Sequence, residues 1–146
     1  MSQDGFNPIK HDCCGGEKCF MKTKHFSIEL LAKFLPKKIA FTDIDGFVEW
    51  KRHFLLLEFK GGGRDLPMGQ ALAFARLTQA CPKALFCYVD CDYETSEVYR
   101  LRIMVDGGRV YDAPIDFAAF GEFIKCWRDS PADVMAKLRR NRLKVI

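Results

Sequence analysis

Two carboxylates and a lysine, Asp45, Glu58 and Lys60, stand at positions that a single β-hairpin would bring together. If Lys51-Arg52 forms a two-residue turn, Asp45 lies opposite Glu58. Because side chains alternate along a strand, the three charged groups then share one face. Two carboxylates about 5 Å apart repel by roughly 3 kcal/mol at an effective dielectric constant near 20. A divalent cation between them would remove that repulsion, so the pattern predicts a metal site.

The turn of this hairpin is its weakest element. Lys51-Arg52 is a poor sequence for a primed two-residue turn, which favours Asn-Gly or Asp-Gly. A four-residue loop is an alternative that keeps the same faces, whereas a slip of one residue would separate the two carboxylates. In the favoured register Asp43 also lies on the charged face, and we expect it to face solvent.

The chemistry that these residue types suit is phosphodiester hydrolysis. A divalent cation lowers the pKa of bound water and offsets the charge of the transition state. A lysine adds positive charge where negative charge develops. The apolar run Leu55-Leu56-Leu57 is typical of a strand buried on both faces. Charged side chains at its end therefore indicate a cleft in place of an exposed, solvated edge strand.

Length and composition favour one globular domain. The chain has 146 residues, of which 49% are hydrophobic and 13% aromatic, which is enough for a sizeable core. Its net charge of +4 permits an anionic partner without requiring one. No apolar run approaches the ~18 residues of a membrane span, and residues 1–8 lack a signal-peptide pattern. We therefore expect a cytoplasmic protein without a membrane partner, whose seven cysteines are mostly reduced.

Hydrophobic periodicity and chain breakers divide the sequence into a polar arm, residues 1–25, and a single domain, residues 26–146. Helices are predicted at 26–35, 67–79, 116–128 and 131–142, with Asp116 capping the third. Strands are predicted in the hairpin at 39–60 and then at 84–90, 97–105 and 109–111. This order of elements is typical of an α/β protein.

The same order, with an acid on one strand and Glu-x-Lys on the next, resembles the PD-(D/E)XK nuclease superfamily. The matching residues are Asp45-Gly46, Glu58-Phe59-Lys60 and Gln70. The sequence around these residues also looks like that of small uncharacterised proteins encoded by phages and prophages. The resemblance covers residues 26–92. It implies a restriction-endonuclease-like core, α-β-β-β-α-β, with a central mixed sheet flanked by helices.

The resemblance also implies roles for these residues. Asp45 and Glu58 would hold Mg²⁺ or Mn²⁺, helped by the backbone carbonyl of Phe59. Lys60 would orient or activate the attacking water and steady the phosphate. Gln70, on the following helix, would support the site.

Three further positions bear on the family assignment. Glu29 matches an extra helix carboxylate that part of the superfamily uses at the metal, although an exposed helix residue is an equal interpretation. Ile44 stands where the signature has proline. Phe74 stands where many members have a tyrosine, so that hydroxyl is missing.

The substrate that the resemblance implies is DNA, cut by an endonuclease or a structure-specific nuclease, with branched and single-stranded DNA included. A homodimer would suit the cutting of two strands. Basic residues can contact phosphates without reading sequence, and the candidates are Arg64, Arg76, Arg139 and Arg140. For the last two, an equal interpretation is a helix end that complements its dipole.

Cysteines and histidines suggest a different function. Enough ligands for one Zn²⁺ lie in or beside the arm, namely His11, Cys13, Cys14, Cys19 and His25. Their spacing matches no standard zinc module, and a flexible reduced arm is the other interpretation. We expect Cys87 and Cys126 to pack in the core. Two alternatives to the nuclease stay open: a non-catalytic module that binds nucleic acid or a host protein, and a zinc-binding interaction protein.

Overall fold

The computed structural model describes residues 31, 33–36 and 44–142 of the 146-residue chain. The chain divides into two compact units, Met1–Phe41 and Thr42–Ile146. In the first unit, Leu31 is helical and Lys33 and Phe34 form a turn. The predicted arm and its boundary, most of the helix at 26–35, and Asp43 lie outside the described residues.

Residues 44–142 form a five-stranded mixed sheet in the order β1-β2-β3-β4-β5. Its strands are β1 (Gly46–Trp50), β2 (His53–Gly61), β3 (Ala84–Cys91), β4 (Val98–Val105) and β5 (Gly108–Pro114). β2 and β3 run parallel, and the other neighbouring pairs run antiparallel. The helices are α1 (Met68–Ala80), which connects the parallel pair, α2 (Phe117–Asp129) and α3 (Pro131–Arg142). The predicted α/β class is thus confirmed.

The predicted hairpin and its register are confirmed in β1 and β2, with Trp50 opposite His53. Lys51 and Arg52 form the turn with φ values of 49° and 62°, the left-handed conformation of a primed turn. That conformation costs roughly 1–2 kcal/mol per non-glycine residue. Contacts to α2 offset part of this cost, because Lys51 Nζ donates to the Asp129 carbonyl at 3.0 Å.

Two apolar clusters cover the two faces of the sheet. Leu55 and Leu56, each 2% exposed, point to opposite faces, as predicted for a strand buried on both sides. Leu55 belongs to the larger cluster, which α2 and α3 complete with Trp127 among others. Leu56 belongs to the smaller cluster under α1, where the rings of Phe74 and Phe86 stack with centroids 3.8 Å apart. Burying each large apolar side chain contributes about 1.5–3 kcal/mol.

The ends of the helices also follow local signals. Asp116 caps α2 by accepting from the Ala119 amide at 2.7 Å, as predicted. Helix α3 begins at Pro131, a residue whose fixed φ suits a first helical position. Within the described part of the chain, no helix is long and apolar enough to span a membrane.

The two cysteines predicted to be core residues differ. Cys87 on β3 is fully buried, as predicted, and burial raises the pKa of its thiol. The prediction for Cys126 was wrong, because this residue is exposed. Helix α2 buries the stripe that contains Phe120 and Trp127, and Cys126 lies outside that stripe.

An ion pair joins the β4–β5 turn to α3, and it predicts an acid-dependent loss of stability. Arg139 donates to both carboxylate oxygens of Asp106, at 2.7 and 2.9 Å, and this bond holds the pKa of Asp106 below its usual value. A depressed pKa stabilises the fold above the unfolded pKa of ~3.9, and the contribution disappears as pH falls through the folded pKa. Both side chains are more than a third exposed, so solvent screening limits the pair to about 1 kcal/mol or less.

We expect Asp106→Asn to lower the free energy of unfolding slightly at pH 7 and to make it less dependent on pH below about 4. Urea unfolding at pH 7, 4 and 3 measures both effects. Asparagine tolerates the left-handed φ of 49° at this position, so the backbone stays unstrained. An unchanged acid slope in the variant, compared with Glu122→Gln on the exposed face of α2, would contradict the prediction.

Candidate active site

Glu58 is the buried centre of the predicted site. It lies near the end of β2 and is only 1% exposed. Its Oε1 atom accepts from Lys60 Nζ at 2.7 Å and from Gln70 Nε2 at 2.9 Å. Its Oε2 atom is also buried and has no hydrogen-bond partner among the residues that the structure describes. A buried oxygen without a partner costs about 1–3 kcal/mol, and more when it is charged, so a cation or a donor is favoured there.

Lys60 follows Glu58 on the same face of β2, and its side chain is 29% exposed. The hydrogen bond to Glu58 raises the pKa of the Lys60 ammonium, and the negative charge of Asp45 raises it further. Lys60 is therefore a cation at neutral pH in this arrangement. It can attract a phosphate or orient a water molecule, but it cannot accept a proton.

Asp45 lies at the same end of the hairpin. The ladder between β1 and β2 ends at the pair Gly46 and Leu57, one residue short of Asp45. The Asp45 carboxylate instead accepts from the backbone amide of Phe59 at 2.7 Å. Asp45 therefore lies at the strand end that carries Glu58, but the predicted pairing of the two residues across the hairpin was wrong, because the ladder ends one residue earlier and Asp45 stands in a bend.

The Phe59 carbonyl has a partner that the sequence did not reveal. The Tyr93 hydroxyl, from the loop after β3, donates to this carbonyl at 2.8 Å. The Tyr93 ring lies against Gly61, where an added Cβ would stand only 2.8 Å from ring atom Cε2. A side chain at position 61 would displace the ring, so glycine is needed here. A glycine directly after Lys60 was the one sequence signal of a close approach.

A second charged group on the same face of the sheet was also missed. Asp90 on β3 lies beside Lys60 in the register, and its side chain is 9% exposed. It accepts from Arg102 at 2.6 Å, and Arg102 also donates to Asp65 at 2.8 Å. The Arg102 guanidinium stacks on the Tyr88 ring, 3.8 Å from its centroid. This network ties the loop before α1 to β3 and β4, and so supports the helix that carries Gln70.

The four predicted phosphate-binding arginines do not gather at the site. Arg64 is exposed and lines the same open cavity as Lys60. Arg76 is exposed on α1, about 9 Å along the helix from Gln70 at 1.5 Å per residue. Arg139 and Arg140 lie on α3, and Arg139 is bound to Asp106 and to the Pro82 carbonyl, which precedes β3. That is the opposite end of the sheet from Lys60, so Arg64 is the only one of the four beside the site.

The oxygen ligands fit a metal that binds together with substrate. Among the residues described, no group of three His, Cys, Asp or Glu side chains is placed to hold a metal ion. Mg²⁺, however, commonly uses one or two carboxylates and completes its shell with waters and substrate phosphates. Asp45 and Glu58 would be the two carboxylates of such a site, with the unpaired oxygen of Glu58 as one ligand atom. Glu29 and the five predicted zinc ligands lie outside the described residues.

Of the predicted catalytic residues, Lys60 lines an open cavity of about 800 Å³, together with Arg64, Tyr93 and the carboxylates of Asp92 and Glu94. This volume lies within the range of roughly 300–1,000 Å³ for ligand sites. Another cavity, of about 890 Å³, lies between β4, β5, α2 and α3. Its walls are mainly apolar, and none of the predicted site residues lines it. Because Lys60 and Arg64 line the smaller cavity, the candidate site lies beside that cavity.

Comparisons with known proteins leave the site to be interpreted by its own geometry. No family model matches the chain, and no match was found among the curated proteins or the solved structures. The likeness to the PD-(D/E)XK superfamily rests on the motif residues and on the order of the elements that carry them.

Proposed function

We propose that this protein is a divalent-metal-dependent nuclease that hydrolyses phosphodiester bonds in DNA on a PD-(D/E)XK-like core. The observation that carries the proposal is the carboxylate of Glu58, which is only 1% exposed. Its Oε1 atom accepts two hydrogen bonds, whereas Oε2 has no partner among the described residues. A fold that only needed structural support would gain from pairing or removing this charge. A cation bound at Oε2 would explain why a carboxylate with one unpaired oxygen is buried here.

The order of elements supports the same proposal. An antiparallel hairpin that carries Asp45 and Glu58 leads through α1 into β3, which is parallel to β2. These elements, β-β-α-β, correspond to the last four of the order α-β-β-β-α-β that the resemblance implies. The Gly61–Gly63 segment after Lys60 leads directly into the loop and helix that carry Gln70.

Each site residue then has a physical role. Asp45 and Glu58 would hold Mg²⁺ or Mn²⁺ with help from the Phe59 carbonyl, whose second lone pair remains after the bond from Tyr93. The bound ion would supply an acidified water and charge relief at the phosphate. Lys60 attracts the phosphate and orients the water. Gln70 fixes the Glu58 side chain, so that Oε2 stays directed at the ligand position.

The proposal is tested with supercoiled plasmid and labelled single-stranded, duplex and branched DNA, in Mg²⁺, Mn²⁺ or EDTA. We expect cleavage that needs the metal. Lys60→Ala should lower the rate about 100-fold or more, the usual effect of removing one charge-stabilising group. Asp45→Ala should be similarly impaired. Lys83→Ala, an exposed lysine at the opposite end of the sheet, should stay within about twofold of the wild type.

Two results would contradict the nuclease. One is cleavage that persists in EDTA or in Lys60→Ala, which would point to a contaminant or another site. The other is DNA binding without cleavage of any substrate, unchanged by Lys60→Ala and by EDTA. That outcome favours the non-catalytic binding module, and Asp45 and Glu58 would then need another explanation.

A further inference from the structure

A second cavity adjoins the site on the other side of Tyr93. It measures about 340 Å³ and has mainly apolar walls, with the carboxylates of Asp45 and Asp92 among them. The aromatic rings of Phe59, Tyr93, Phe117 and Phe120 line it. Its volume lies at the lower end of the range for ligand pockets, about 300–1,000 Å³, which suits one small flat group.

Two of these rings are unusually open to solvent. Tyr93 is 68% exposed and Phe117 is 65% exposed, although both are large and mainly apolar. Tyr93 is nevertheless fixed, because its hydroxyl is bonded to the Phe59 carbonyl and its ring lies on Gly61. The backbone of Phe117 is held as the first residue of α2, directly after the Asp116 cap. A fixed exposed ring such as Tyr93 loses little entropy when a flat partner stacks on it.

Tyr93 lines two cavities that differ in character. On one side lies the open cavity, which holds the cationic groups of Lys60 and Arg64 together with the carboxylates of Asp92 and Glu94. On the other side lies the aromatic cavity with Phe117. A nucleotide has the same division, with an anionic phosphate at one end and a flat aromatic base at the other.

We propose that the aromatic cavity receives an unpaired nucleobase from the nucleotide next to the scissile phosphate. A base inside a duplex is stacked on both faces and cannot reach such a cavity without leaving the helix. The preferred substrate is therefore single-stranded DNA, or the single-stranded part of a flap or branch. This inference rests on the proposed nuclease function and adds a substrate class to it.

The test measures binding separately from cleavage. Fluorescence anisotropy gives the Kd of a labelled single-stranded oligonucleotide and of the matching blunt duplex, in EDTA and again in Ca²⁺. We expect Phe117→Ala and Tyr93→Ala to weaken single-strand binding by roughly 5- to 100-fold, the usual effect of removing one stacking ring. Tyr93→Phe, which keeps the ring, should lose much less. Both side chains are exposed, so the variants should fold.

Phe47→Ala is the matched control, because Phe47 is 60% exposed and lines neither cavity. Its single-strand Kd should stay within about twofold of the wild type. Equal binding by the wild type and Phe117→Ala, or an equal loss on the duplex, would overturn the base site while metal-dependent cleavage could still stand. A selective loss of single-strand affinity without any cleavage would instead support the base site and overturn the nuclease. If the wild type binds neither the single-stranded nor the duplex DNA, both the base site and the nuclease are overturned.

Discussion

Glu58→Gln should lower metal-dependent DNA cleavage by about 1,000-fold while leaving the fold intact, because the amide keeps the shape of the carboxylate and loses its charge. The glutamine oxygen can still accept from Lys60 and Gln70, the two partners of Oε1. The amide nitrogen then takes the place of Oε2, where it has no lone pair to offer a cation, and the negative charge is gone. Initial cleavage rates in Mg²⁺ and isothermal titration with Mn²⁺ should both show the loss.

The stability of the same variant separates catalysis from structure. A buried neutral amide costs less to desolvate than a carboxylate, and the Lys60 ammonium, 29% exposed, can be solvated when its partner loses charge. We therefore expect the free energy of urea unfolding to change by less than about 1 kcal/mol. Glu122→Gln, at an exposed glutamate of α2, should alter neither rate nor stability. A full cleavage rate in Glu58→Gln would show that the catalytic metal does not bind at Glu58. A loss of stability above about 3 kcal/mol would show that the charge is structural.

Much of the fold could be predicted because its signals are local. The hairpin register follows from the strand period of two and from the shortest turn that joins the two apolar runs. Trp50 lies opposite His53 as a result. Asp116 and Pro131 mark helix starts for reasons that involve only the next few residues. The side-by-side position of Glu58 and Lys60 also follows from this period.

The remainder of the site depends on contacts between distant parts of the chain. Tyr93 reaches the Phe59 carbonyl across 34 positions, and nothing near Tyr93 in sequence specifies that contact. Arg102 meets Asp90 because β3 and β4 pair in one particular register, which a bulge after Asp90 interrupts. The exposure of Cys126 depends on which stripe of α2 faces the sheet, and an amphipathic pattern locates a stripe only to within about one residue.

Arg102 and Arg100 lie two residues apart on β4, and each is bound to an aspartate. Because the two ion pairs differ in burial, we expect their loss to affect stability differently. Arg102 is 6% exposed and its partner Asp90 is 9% exposed, whereas Arg100 and Asp112 are 46% and 24% exposed. Removing one partner of a buried pair leaves an uncompensated charge and costs about 3–5 kcal/mol. Breaking an exposed pair costs about 0–1 kcal/mol.

We therefore expect Arg102→Met to lower the free energy of urea unfolding several times more than Arg100→Met. Adding Asp90→Asn to Arg102→Met should restore part of the loss, because the unpaired charge is removed with its partner. Similar losses at both arginines, or a double variant less stable than Arg102→Met, would contradict the buried-pair interpretation. Arg102 also holds Asp65 in the loop before α1. Where Arg102→Met still folds, cleavage should fall too, because the loop that positions Gln70 against Glu58 has lost its anchor to the sheet.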